Sequence, residues 1–252
     1  MNPYVRNLNR IEFLITYACT GRCKHCSEGE HTQRDESIDS AAAVRTVSEL
    51  CQHFHIKSLM TFGGEPLLYV DTVCNIHAAA REGGIPVRQL ITNGFFSRDG
   101  DRIKEAAGRL AQSGVNNLLL SVDAFHQETI PLVPVKQFAE AAKAAGIPIR
   151  AHPAWLVHKD AENPYNRQTL EILKEFERMG IGASEGNIIF PAGNALKNLR
   201  EYFDVNEKHS NPYIEDPKDI RSICISPDGG VLGGNIRQTG IPDILEQYRP
   251  EA

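Results

Sequence analysis

From residue 10 to about residue 190 the chain alternates between short β-rich apolar runs and amphipathic segments containing alanine and glutamate. This is the pattern of repeated βα units around a parallel sheet, since each crossover helix must cover one face of the sheet it returns to. Strands are expected at residues 10–17, 56–62, 87–92, 117–122, 147–157 and 187–190, with helices at 41–54, 70–81, 101–112, 135–145 and 168–179. Ser37 supports the start of the first helix, and Gly83-Gly84, Gly114 and Gly146 end the next three. The chain is therefore expected to be of α/β class, with a partial (β/α)6 TIM-like barrel over residues 1–195. Past Gly193 the alternation fades, and apolar runs around Pro227-Asp228-Gly229-Gly230 predict a short β-hairpin in a C-terminal extension, residues 196–252, packed on the barrel.

Composition narrows the function classes. With 27 basic and 32 acidic side chains among 252 residues, the net charge of −5 gives no general surface for nucleic acid or membrane. The absence of a long apolar run leads to the expectation of a cytoplasmic protein. Six cysteines permit disulfides by arithmetic, but three of them, Cys19, Cys23 and Cys26, fall within eight residues, which points to metal binding. Cys51 and Cys74 lie in helical segments and read as small buried hydrophobes.

In barrel-type α/β folds the loops after the strands' carboxyl ends build the active site. Four motifs fall there: Cys19-Thr20-Gly21-Arg22-Cys23-Lys24-His25-Cys26, Gly63-Gly64-Glu65-Pro66, Thr92-Asn93-Gly94 and Ser121-Val122-Asp123. Three thiolates on a short loop suit the soft iron of a cubane cluster and leave one iron without a protein ligand. A structural zinc site, with His31 or His25 as fourth ligand, is the competing reading. His126, Gln127 and Glu128 after the fourth strand, and His152 with Trp155 on the fifth, are candidates to face a substrate.

Over residues 10–195 these ordered motifs resemble the radical S-adenosylmethionine (radical SAM) superfamily. The resemblance implies that Cys19, Cys23 and Cys26 hold a [4Fe-4S] cluster whose open iron chelates S-adenosylmethionine. It implies that His25 lies against the adenine, that Gly63, Gly64, Glu65 and Pro66 receive the methionine ammonium, and that Asn93, Ser121 and Asp123 contact the ribose and methionine end. By the same resemblance Arg150 pairs with the cofactor carboxylate, and Ile188, Ile189 and Pro191-Ala192-Gly193 pack on the adenine.

The implied activity is anaerobic: an external one-electron donor such as flavodoxin or ferredoxin reduces the cluster, and the 5′-deoxyadenosyl radical released from S-adenosylmethionine abstracts hydrogen from a small-molecule or peptide substrate. The run Cys224-Ile225-Ser226-Pro227-Asp228-Gly229 resembles the opening of a SPASM/Twitch extension without its further cysteines. Three roles stand open for Cys224: buried packing, hydrogen-atom donation to a substrate radical, or cluster ligation. A glycyl-radical enzyme activase and a non-catalytic zinc or iron–sulfur protein are the alternative functions.

Overall fold

The computed structural model describes residues 2–29, 36–203 and 214–250. In chain order its elements are β1 (Arg10–Leu14), α1 (Ser40–His53), β2 (Ser58–Phe62), α2 (Val70–Glu82), β3 (Val87–Thr92), α3 (Gly100–Ser113), β4 (Asn117–Ser121), α4 (Ala124–Gln127), α5 (Leu132–Ala144), β5 (Ile149–His152), β6 (Ala154–Trp155), α6 (Pro164–Arg178), β7 (Asn187–Ile188), α7 (Gly193–Asn198), β8 (Ser222–Ile225), β9 (Gly230–Val231), β10 (Gly234–Asn235) and α8 (Ile241–Gln247). The main sheet runs β5-β4-β3-β2-β1-β8. Its strand pairs are all parallel. This is the α/β partial barrel expected from the alternation.

Side chains at odd and even strand positions separate onto two faces. Ile11, Phe13, Leu59, Leu90, Leu118 and Leu120 are fully buried in the main apolar core. The opposite, concave face is polar: Cys224 sits beside Glu12, Glu12 beside Met60, Met60 beside Gln89, and Gln89 beside Asn117. Nearer the carboxyl ends Leu119 pairs with Arg150 and Ser121 with His152. A closed TIM barrel fills this space with apolar side chains. Here the polar row leaves it as a ligand-facing surface.

Several boundaries moved for local reasons. The cap of α1 is Asp39, whose carboxylate accepts from Ala42 N at 2.7 Å, while Ser37 instead forms a bridge to Thr16. α6 starts at Pro164, before the expected Gln168, because Asn163 caps it and Pro164 is pre-set for a first helical turn. The expected fifth strand is broken at Pro153, which has no N–H to give to a ladder, and resumes as β6.

The expected sixth strand exists as β7, two residues long and parallel to β6. The C-terminal segment required a larger correction. The run at residues 222–225 is not one arm of a hairpin but joins the main sheet beside β1, and the hairpin lies further on, between β9 and β10. Among the described residues no helix is long and apolar enough to cross a membrane.

Candidate active site

The carboxyl ends of β1 and β2 are laced together by backbone. Ile15 N donates to Phe62 O at 2.8 Å, Gly64 N to Thr16 O at 2.7 Å and Glu65 N to Ala18 O at 2.8 Å. A Cβ on Gly64 would lie 2.1 Å from Ala18 O, so this contact demands glycine. Gly63, at φ 138°, holds a conformation that side chains rarely adopt. The two glycines thus fix where the cysteine loop leaves β1.

Cys23 is buried, and Cys19 and Cys26 are half-buried. Burial pushes the Cys19 thiol up to about 11, with Glu65 and Cys26 adding to the effect, and it raises Cys23 and Cys26 as well. Without metal these sulfurs keep their protons, which a bound metal displaces. Gly21 N points at Cys19 Sγ from 3.4 Å, and Asn93 Nδ2 donates to the same sulfur at 3.6 Å and to Thr20 Oγ1 at 3.2 Å.

Among the described residues, the ligand atoms lying within 4.8 Å of one another are those of His25, Asp123 and His126; the three thiols form no such set. Thiolates gathered on one zinc ion would. Sulfurs spread over the corners of a cubane would not, so the arrangement fits a cluster and counts against the zinc reading. His31, the alternative fourth zinc ligand, lies outside the described residues.

The loop is held from outside by groups the sequence reading missed. Asn194 N donates to Cys26 O at 2.9 Å, and Asn194 Nδ2 donates to Gly29 O at 3.1 Å and Cys23 O at 3.4 Å. Asn198 Nδ2 reaches Lys24 O at 3.3 Å. Gly193, at φ 51°, allows this approach, since a Cβ there would meet Ser27 O at 2.4 Å. The motif Pro191-Ala192-Gly193 stops one residue short of Asn194, and an asparagine near a helix start reads from sequence as an ordinary cap. On the other side Lys24 Nζ binds Glu128 at 2.9 Å and Arg22 N donates to Thr129 Oγ1 at 3.0 Å. Glu128 therefore anchors the loop and does not face substrate.

Glu65 is fully buried. Its Oε1 accepts from Leu67 N at 2.9 Å and Thr92 Oγ1 at 2.6 Å, and its Oε2 from Asn93 N at 2.9 Å. Burial outweighs these bonds and raises its carboxyl to about 7. This carboxylate ties the end of β2 to the end of β3.

Asp123 is enclosed in the same way. Its Oδ1 accepts from His126 N at 2.9 Å, and its Oδ2 from His126 Nδ1 at 2.7 Å and Ala154 N at 2.9 Å. Burial opposes its charge, but His126 and His25 overcome this and hold the carboxyl far below its usual range. Gln127 is also drawn inward, accepting from Asp123 N at 2.9 Å. His25 packs between Phe125 and His126, with ring centroids 5.0 and 4.8 Å away. Its buried Nδ1 has no partner, and burial lowers its pKa to about 4.

The remaining candidates divide between face and core. The Ser121 position lies beside His152 at the mouth. His152 Nδ1 pairs with Ser184 Oγ at 2.7 Å, and burial lowers its pKa. Arg150 is exposed and reaches Asn117 Oδ1 at 3.2 Å, toward the amino end of β4. Trp155 is 2% exposed, with its Nε1 donating to Glu185 O at 2.8 Å, and so does not face substrate.

Ile189 is buried in a small cluster with Phe125, Ala154 and Leu199, whereas Ile188 is the exposed member of the pair. Phe125 in turn packs on His25, so Ile189 belongs to the apolar wall behind that ring. Cys74 is buried, as read from sequence. Cys224 is exposed beside Glu12, which removes the packing reading. Desolvation, aided by Glu12 and Glu28, pushes its thiol up to about 12.

A family model described as "Radical SAM superfamily" matches residues 13–191. The chain belongs to the radical SAM superfamily. It is 31% identical over 120 residues to a probable GTP 3′,8-cyclase of Sulfolobus acidocaldarius, covering 47% of this chain and 36% of that one. It is 20% identical over 234 residues to a GTP 3′,8-cyclase of Alkaliphilus metalliredigens, covering 92% and 61%. The chain thus spans less than two thirds of these relatives' length.

Among solved structures it resembles SuiB of Streptococcus suis bound to S-adenosylmethionine, with TM-score 0.64, 15% identity and coverage of 98% and 67%. It also resembles anSMEcpe with bound AdoMet, with TM-score 0.61, 13% identity and coverage of 95% and 80%. At these identities the likeness concerns the fold. This radical SAM protein is an enzyme whose family cofactors are a [4Fe-4S] cluster and S-adenosylmethionine, and the spread of its three thiols fits the cluster.

Proposed function

We propose that this radical SAM enzyme abstracts hydrogen from a polar small molecule or a peptide residue lying on the concave face below the cysteine loop. The carrying observation is the composition of that face. Among the described residues, Arg10 is committed to Glu12 at 2.5 Å, with further bonds to Ser58 and Gln89, and Arg150 is engaged by the neutral Asn117. One guanidinium free of a carboxylate is a poor match to a triphosphate, which calls for several convergent cations. The substrate named for the cyclase relatives therefore suits this surface less well than a peptide does. One fold neighbour, SuiB, is described bound to its precursor peptide.

Cys19, Cys23 and Cys26 would hold the cluster, which with S-adenosylmethionine would supply the hydrogen-abstracting 5′-deoxyadenosyl radical. The chain's own part is positional and protonic. Asn93 donates to the Cys19 sulfur, and Gly63-Gly64 and Asn194 fix the loop from opposite sides. Asp123 holds His126 through Nδ1, which leaves Nε2 as the nitrogen able to take a proton at the mouth. Cys224 and His152 line the same surface as substrate-facing groups. An external one-electron donor of flavodoxin or ferredoxin type would supply the electron that this cleavage consumes.

The test is anaerobic reconstitution followed by incubation with dithionite, S-adenosylmethionine and deuterated candidate substrates. Deuterium in 5′-deoxyadenosine is the expected result. A reconstituted protein that releases no 5′-deoxyadenosine would overturn the reading.

A further inference from the structure

At the end of the barrel opposite the cysteine loop, the segment entering β1, the link between α1 and β2, and the residue before β8 line an open pocket of about 410 Å³. Three cations line it, Arg6, Lys57 and Arg221, together with His53 and His55, and the carboxylate beside them is Asp219, which accepts from Asn7 and Arg221. This is unexpected in a chain of net charge −5. Some of the charge has a local explanation. His53 lies in the last turn of α1, where a positive ring complements the helix dipole. Arg221 is paired with Asp219 through Nε at 3.0 Å and Nη2 at 2.8 Å.

Arg6 and Lys57 have no hydrogen-bonded or ion-paired side-chain partner among the described residues, although Arg6 lies near enough to Asp219 to stabilise its charge. Beside the Arg221–Asp219 pair, Arg6 and Lys57 leave the concavity with more positive than negative charge, which raises the local potential for anions. Loops at this end of a barrel ordinarily serve stability, which gives no reason to collect them.

We infer that this pocket is a binding site for a small phosphate-bearing ligand, separate from the active site. Its volume falls in the range of small-molecule sites and is too small for a nucleic-acid duplex. Leu8 and Phe54 supply an apolar wall, while the Asn7 amide is held by Asp219 at 2.7 Å and the Asn9 amide by Asn7 O at 2.8 Å. The arrangement resembles the mixed lining of such sites: apolar walls carrying a few convergent polar groups.

The inference does not depend on the radical reaction. Isothermal titration of the reconstituted full chain with inorganic pyrophosphate, at ionic strength held constant with chloride, should show saturable one-site binding. Arg6→Gln and Lys57→Met should each weaken it roughly tenfold. Substrate-free release of 5′-deoxyadenosine should be unchanged in both variants. Absence of saturable heat, or equal binding by the double variant, would overturn the inference. So would a single-stranded oligonucleotide that binds more tightly than pyrophosphate and loses affinity in the same variants, since the surface would then be a nucleic-acid contact.

Discussion

Asp123 and His126 share a 2.7 Å hydrogen bond between Oδ2 and Nδ1, and Asp123 is buried while His126 is partly open. The pair places a histidine with one fixed nitrogen at the mouth of the barrel. His126→Gln should therefore lower product formation about 100-fold or more, the ordinary contribution of a positioned base, while 5′-deoxyadenosine is still released. Quantifying both products in one anaerobic assay checks this. Equal loss of the two would show that His126 serves the cofactor instead.

Asn194 holds three carbonyls of the cysteine loop. Asn194→Ala should leave the metal-free protein's melting temperature within a few degrees of wild type, because α7 is short and peripheral. Iron should be lost to a chelator several-fold faster, and the electron paramagnetic resonance of the reduced cluster should broaden. A variant that loses stability without any change in iron retention would mean that Asn194 merely closes a helix end.

Glu65 makes stability depend on pH in the neutral range. Its folded pKa, about 7, lies above its unfolded value near 4.5, so the stability it contributes is complete below 4.5 and is lost as pH rises through 7. Between pH 5 and 8 the wild type should lose up to about 3 kcal/mol that Glu65→Gln retains. Urea titrations of the metal-free proteins at the two pH values give the comparison.

His77 works in the acid direction. It is fully buried, with Nε2 bonded to Thr61 Oγ1 at 2.9 Å, and burial lowers its pKa to about 3. Its contribution is complete above 6.5 and is lost as pH falls toward 3. Lowering the pH from 7 to 5 should cost the metal-free wild type about 2 kcal/mol through this residue. His25, lowered for the same reason, adds to the loss, so His77→Gln should flatten the acid limb without abolishing it. An unchanged limb would mean that His77 is solvated.

The sequence alone determined the order of βα units, because alternation of apolar runs and amphipathic helices admits few other architectures. It also pointed to Cys19, Cys23 and Cys26 as the candidate cluster ligands, since they lie on one short loop and local spacing suffices to gather them. Groups that act across the fold were not legible. Glu65 and Asp123 matched site motifs, yet each is enclosed by protein donors from distant segments, at Thr92, Asn93 and Ala154. Cys224 joined the concave face only because β8 pairs with β1, more than 200 residues away along the chain. Asn194 gained its role only when α7 folded back over the loop. A short loop carries its own geometry, whereas the burial of a carboxylate and the register of an added strand depend on which segments pack together. Only the tertiary structure decided those.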